Sequence, residues 1–193
     1  MEVRPMAVTE RSLIEYPQLW KLEDGTEVTV RPMVKEDRDK LADFFRRIPI
    51  QELRVLKDDV TDVAVIDQWA RTLDYDRVLP LVVEVSGRII ADATLHRRRQ
   101  GWRRHLGGVR VVVDPEFRHR GLASRLLAEL AEVAAREGLV RLYVELPADD
   151  KPALELFRAR GFKEVAGFKD QILDLKGKFH DLVVLHMDLV YRD

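Results

Sequence analysis

The chain has 193 residues, 33 basic and 34 acidic, for a formal charge of −1. Its length can bury one ordinary core, and its 46% apolar and 35% charged composition excludes a disordered chain or a membrane protein. The near-neutral balance gives no global pull toward nucleic acid or anionic lipid, and the absence of cysteine excludes disulfides, thiolate metal sites and a thiol nucleophile.

In chain order, residues 1–25 read as a lead-in. Charges at Glu2, Arg4, Glu10, Arg11 and Glu15 interrupt the first twenty residues, so they form no signal peptide. No stretch approaches the roughly 18 apolar residues of a membrane span, and the cytoplasm is the expected compartment. The single domain is expected over residues 26–193. It opens with an alternating strand at residues 26–31, closed by Pro32. Residues 35–48 carry Leu41, Phe44, Phe45 and Ile48 at helical spacing, and Pro49 stops that helix. A second helix is predicted over 61–73, with Asp59 or Thr61 as its cap. Residues 79–85 and 88–96 form a hairpin around Ser86-Gly87. The β-branched run 106–114 reads as a central strand closed by Pro115. An amphipathic helix over 121–137 leaves at Gly138. A strand at 139–146, a short helix at 151–160 and final strands at 162–175 and 179–190 complete the chain. The order β-α-α-β-β-β-α-β-α-β-β predicts a mixed α/β sheet with helices on both faces. The unit from 106 to 146 is expected to hold two parallel strands with a right-handed crossover.

Asp114-Pro-Glu-Phe-Arg118-His119-Arg120-Gly121-Leu122-Ala123-Ser124 joins the central strand to its helix. A helix start exposes unpaired N–H groups and partial positive charge, so it attracts anions. Gly121 permits close backbone approach, with Arg118 and Arg120 adding charge beside it. Neither a P-loop nor a G-x-G-x-x-G dinucleotide fingerprint is present. A solvated loop with two arginines is the plainer reading of these residues alone.

Arg118-x-x-Gly121-x-Ala123 resembles the acyl-CoA signature R/Q-x-x-G-x-G/A of the GNAT N-acetyltransferase superfamily. The segment from Asp150 through Ala153, Leu156, Phe157 and Gly161 to Phe162 is similar to that family's N-x-x-A-x-x-L-Y-x-x-x-G-F element. The element order across residues 26–190 matches as well. The resemblance implies a GNAT-like acyl-CoA N-acyltransferase fold and acetyl-CoA as acyl donor. Its pantetheine arm would lie between the splayed strands 106–114 and 139–146, against backbone groups of Val111, Val112 and Val113. The N–H groups of His119, Arg120, Gly121, Leu122, Ala123 and Ser124 would hold the pyrophosphate, and Asp150 and Phe157 fall at family cofactor-site positions. Residues 16–17, 22–26, 31–32 and 36–37 also look similar to a bacterial branch of protein lysine acetyltransferases. That branch carries a glutamate where Gly108 stands.

With no cysteine, an acyl-cysteine route is excluded, and the resemblance implies direct attack by an amine acceptor in a ternary complex. A lysine amine with pKa near 10.4 is neutral only about once in 2,500 at pH 7, and an α-amine near 8 about one time in ten. Glu145 is the candidate base. It shares a strand face with Tyr143 and Arg141, opposite Leu142, Val144 and Leu146. Its setting resembles the glutamate-bearing strand of ribosomal-protein N-terminal acetyltransferases. The plainer reading pairs it with Arg141 or Arg160. The family tyrosine that protonates the leaving thiolate is Phe157 here, which has no proton to give, so Tyr143 or water is the candidate donor. Asp149 or Asp150 also suits a helix cap ahead of Pro152.

Five arginines and Trp102 fall within residues 97–105. They could grip an acidic protein, a cofactor phosphate or nucleic acid, but read most simply as a solvated hairpin tip, and no nucleic-acid partner is expected. Asp58, Asp59 and Asp62 fit a helix start. Trp69, Phe44 and Phe45 read as core. His180 and His186 stand roughly 20 Å apart along one strand, so no metal is implied. A non-catalytic acyl-CoA-binding module is the alternative to an enzyme. The sequence specifies neither the acceptor nor an oligomeric state.

Overall fold

The computed structural model describes residues 13–53 and 56–189. Eight strands form one mixed sheet in the order β1-β2-β3-β4-β5-β6-β8-β7. They are β1 (Gln18–Lys21), β2 (Glu27–Pro32), β3 (Val78–Val85), β4 (Arg88–Arg97), β5 (Leu106–Val113), β6 (Arg141–Pro147), β7 (Lys163–Leu173) and β8 (Phe179–Asp188). The α-helices among the described residues are α1 (Arg38–Arg47), α2 (Ile50–Leu53), α3 (Val63–Arg71), α4 (Leu122–Arg136) and α5 (Lys151–Ala159). This is the expected mixed α/β architecture. β5 and β6 are the parallel pair, joined through α4, and the other pairings are antiparallel.

Strand alternation sorts side chains into two cores. Leu79, Leu81 and Val83 of β3 join Leu126, Leu130 and Val133 of α4 on one face. Val82 and Ile89 meet Leu41, Phe44, Phe45 and Ile66 of α1 and α3 on the other. These three amphipathic helices therefore bury their apolar stripes against the same sheet, α4 from one side and α1 and α3 from the other.

Some local expectations need correction. The lead-in contributes β1, which pairs with β2 through Trp20 and Val28, so the sheet begins before residue 26. Four residues with only Trp20 buried are too few to show alternation in the sequence. The helix cap at α3 is Asp62, whose carboxylate accepts the Ala64 N–H at 2.9 Å. Asp59 instead accepts from the N–H and hydroxyl of Thr61, closing the preceding turn.

The sheet is divided at its middle. β5 pairs with β4 from Gly107 to Val113, and β6 pairs with β8 from Arg141 to Pro147. Between themselves β5 and β6 share only three rungs: Leu106 with Arg141, Gly107 with Leu142 and Gly108 with Tyr143. Each strand then follows its other neighbour, and a fork opens between them.

Candidate active site

The apex of the fork is built on two glycines. A Cβ at Gly107 would stand 2.8–2.9 Å from side-chain carbons of Leu142, Leu139 and Leu95, and one at Gly108 would stand 2.9 Å from the ring and hydroxyl of Tyr143. Large side chains thus close over the apex from both sides, which only glycine permits there. A side chain at position 108, such as the glutamate of the lysine-acetylating branch, would have to displace the Tyr143 ring.

Beyond the apex, residues 109–113 of β5 have no strand partner on the β6 side. Backbone groups alternate sides along the strand: Val112 faces β4 opposite Asp92, as Asp114 does when its N–H donates to Ile90, so Val111 and Val113 are the residues that turn polar groups toward the fork. The Val113 carbonyl is already engaged, accepting from Arg118 Nε at 3.1 Å. The fork opens into a cleft of about 1300 Å³. Val111–Val113, Arg118 and Ala123 line one side of it. Tyr143, Glu145, Asp150 and Phe157 line the other.

At the far end of β5, Asp114 fixes the loop. It is 1% exposed and accepts from Arg47 at 2.7 Å, Arg88 at 2.9 Å and the Glu116 N–H at 3.1 Å. Burial alone would raise its carboxyl pKa, but these hydrogen bonds and the arginine charges bring it below the usual carboxylate range. α4 then starts at Gly121, whose φ of 74° is left-handed, and no side chain caps the helix. The first N–H groups of α4 are left without intrahelical partners. Leu122 turns its side chain into the core, Ala123 faces the cleft, and Ser124 accepts a hydrogen bond from Arg160 at 2.9 Å. His119 is solvent-exposed.

The charge in this loop differs from its sequence appearance. Arg118 makes a two-pronged ion pair with Glu52 of α2 at 3.0 and 2.8 Å. Arg120 pairs with Asp24 at 2.5 Å, and the Glu23 carboxylate lies where a side chain on Gly121 would project. Both arginines are therefore held by carboxylates more than sixty residues away in the sequence.

On the α1/α3 side, Glu145 pairs with Lys57, not with Arg141 or Arg160. Arg141 reaches Asp188 at 2.5 Å, and Arg160 is engaged by Ser124. Lys57 also lies 5.9 Å from the Tyr143 ring centre, and Arg103 approaches that ring to 5.5 Å. Asp150 caps α5, accepting the Ala153 N–H at 3.1 Å. Phe157 is 3% exposed and packs edge-on against Phe162, with ring centres 5.0 Å apart.

Sequence reasoning missed a polar stripe here. Asp92, Thr94 and His96 occupy alternate positions of β4, beside Val112, Arg110 and Gly108 of β5. Buried Asp92 accepts from Arg110 at 2.8 Å, and the Arg110 guanidinium lies 4.8 Å from the Trp69 ring centre. Trp69 is thus half-buried beneath a cation, not fully in the core as expected. His96 is exposed to the space of the cleft that it lines. Desolvation by the surrounding walls, with Arg110 nearby, pulls its pKa down to about 4, so it is neutral at pH 7. The polar-every-second-residue pattern of β4 was the available signal. No group of three or more side chains suited to a metal occurs among the described residues.

The site is thus a pair of parallel strands that separate after three rungs, with an uncapped helix following the first. The model of the acetyltransferase (GNAT) family matches residues 41–162, and the chain belongs to that family. Over 54 residues it is 37% identical to the ribosomal protein bS18-alanine N-acetyltransferase of Salmonella typhimurium, covering 28% of this chain and 36% of that one. It spans no more than half the length of two further curated relatives. Its fold is similar to an N-acetyltransferase from Staphylococcus aureus, with a TM-score of 0.73 at 20% identity over 86% of this chain and 100% of that one. It is also similar to a phosphinothricin acetyltransferase from Sinorhizobium meliloti in complex with acetyl-CoA, with a TM-score of 0.71 at 19% identity over 83% and 88% of the two chains.

Proposed function

We propose that residues 26–193, with β1 completing the sheet, form one cytoplasmic N-acetyltransferase domain that moves an acetyl group from acetyl-CoA to a primary amine. The observation that carries this reading is the fork: three rungs at Leu106–Gly108, then an unpaired β5 edge leading to an uncapped α4. An edge of free amide groups suits an amide-bearing arm, and an uncapped helix start suits a diphosphate. Bound acetyl-CoA supplies an activated acetyl group, which passes from sulfur to nitrogen by direct attack of the amine.

The chain's own part is to hold and to move protons. The backbone of Val111 and the N–H of Val113 orient the arm, and the N–H groups of His119 to Ser124 hold the diphosphate. An N–H on the β5 edge polarises the thioester carbonyl. Glu145 accepts the proton that the acceptor ammonium must lose. In the absence of acceptor Lys57 is its partner, and an incoming cationic amine takes that place. Tyr143, with its hydroxyl over Gly108, is the proton donor that Phe157 cannot be.

Calorimetry with acetyl-CoA, followed by measurement of free CoA released against a panel of amines, tests the reading. Absence of binding heat removes it. One observation favours a second reading, a non-catalytic acyl-CoA-binding module: Phe157 is buried against Phe162 and offers no hydroxyl. Tight binding with no CoA release on any amine selects that module.

A further inference from the structure

We propose that the β4–β5 loop is a docking surface for an acidic polypeptide, and that the acceptor amine is carried by such a chain. This rests on the transferase reading above. The loop follows Arg97 and precedes Leu106, so it lies at the opposite end of β5 from the α4 start. The seven steps along β5 separate the two ends by roughly 23 Å. Its arginines are therefore remote from the diphosphate loop and face the other side of the reaction.

The five arginines of this segment divide into two sets. Arg97 is turned inward and pairs with Glu137, and Arg99 pairs with Asp76. Arg98, Arg103 and Arg104 have no carboxylate partner among the described residues. Arg98 and Arg103 line the same cleft as Tyr143 and Glu145. Arg103 carries the positive strip inward to the Tyr143 ring at 5.5 Å. Arg104 and Trp102 carry it outward, and Trp102 is 86% exposed. Of the nearby acids, Asp76 holds Arg99 and Asp74 accepts the Asp76 N–H at 3.0 Å, while Asp58 also lines the cleft.

Three guanidiniums with no carboxylate partner among the described residues (Arg104 donates only to the Gly101 carbonyl, at 3.3 Å) and an uncovered indole suit an extended anionic ligand. A small amine would touch only the inner end. Nucleic acid would satisfy the charge but generally offers no aliphatic amine for Glu145 to deprotonate. A polypeptide with aspartate or glutamate beside its amine satisfies both. Charge pairing at such a rim acts mainly through salt-sensitive attraction.

The test uses the full chain saturated with CoA and fluorescein-labelled ten-residue peptides that share a free α-amine, followed by four glutamates, four glutamines or four lysines. Fluorescence anisotropy at low salt should show the glutamate peptide binding at least tenfold tighter than the glutamine peptide. That preference should vanish at 0.5 M NaCl. In Arg98→Glu/Arg104→Glu the glutamate-to-glutamine ratio should fall to one or below, with an unchanged melting curve confirming the fold. Equal affinity for the first two peptides overturns the proposal, as does a labelled oligo-uridylate that binds tighter than the glutamate peptide. CoA release from acetyl-CoA, measured with unlabelled versions of the same peptides, separates the two ideas. Release that is equal on all three peptides sinks the docking surface and leaves the transferase. Charge-selective binding without release on any amine sinks the transferase and limits the loop to peptide binding.

Discussion

Both ends of β5 carry clustered arginines, yet the two clusters face different company. At the α4 end Arg118 and Arg120 are matched by Glu52 and Asp24. At the other end Arg98, Arg103 and Arg104 have no carboxylate partner among the described residues. In the sequence the first cluster draws the anion-binding reading because it sits beside the motif, while the second reads as a solvated tip. In the structure both arginines of the first cluster are engaged by carboxylates. On the proposed reading, anion binding near α4 would rest on backbone N–H groups, whereas the opposite end would rely on side-chain charge.

The largest expected effect breaks the acceptor side. Glu145→Gln should lower turnover at pH 7 by about 100-fold or more, with the deficit narrowing as rising pH supplies neutral amine. Equal turnover from pH 6 to 9 removes Glu145 from proton transfer. Asp114→Asn tests the support of the other end. Losing its arginine bonds should cost about 1–3 kcal/mol of stability by denaturant melts. Because the Asp114 carboxyl pKa is depressed in the folded state, its contribution is present above the unfolded-state value of about 4 and is lost on further acidification. The gap between wild type and variant should close in that acid window, and a pH-independent gap would argue for packing instead.

Gly121→Val asks whether the backbone is the binder. A left-handed φ costs a branched residue about 1–2 kcal/mol, and the new side chain meets Glu23. Acetyl-CoA affinity by calorimetry should fall about tenfold. Unchanged affinity would refute the cradle. Glu52→Gln should give the smallest effect, a two- to fivefold gain in acetyl-CoA affinity as Arg118 is released, in keeping with about 0.3–1 kcal/mol for an exposed pair. A loss would show that Arg118 works best when clamped to α2.

The donor half was legible because it is local. Arg118, Gly121 and Ala123 lie within six residues, and the strand, loop and helix that carry them follow directly from β-branched and amphipathic patterns. The acceptor half was not. Lys57 meets Glu145 across 88 positions, and Arg110 meets Trp69 across strand and helix. Such contacts depend on how α1 to α3 pack on the sheet, which no periodicity encodes. The pairing of Glu145 with Arg141 or Arg160 was the natural expectation from proximity, but Asp188 and Ser124 compete for those arginines. β1 was too short to announce itself, and its place depends on the β2 edge it joins.

The glycine pair at the apex has a mechanical consequence. Two half-sheets, β1 to β5 and β6–β8–β7, meet along one seam stitched by Leu106–Gly108 and Arg141–Tyr143. Six residues thus act as the stop of a split. A Cβ at Gly107 would press on Leu95 of one half and Leu142 of the other, and one at Gly108 on Tyr143, so bulk at either position would bear directly on how the two halves meet.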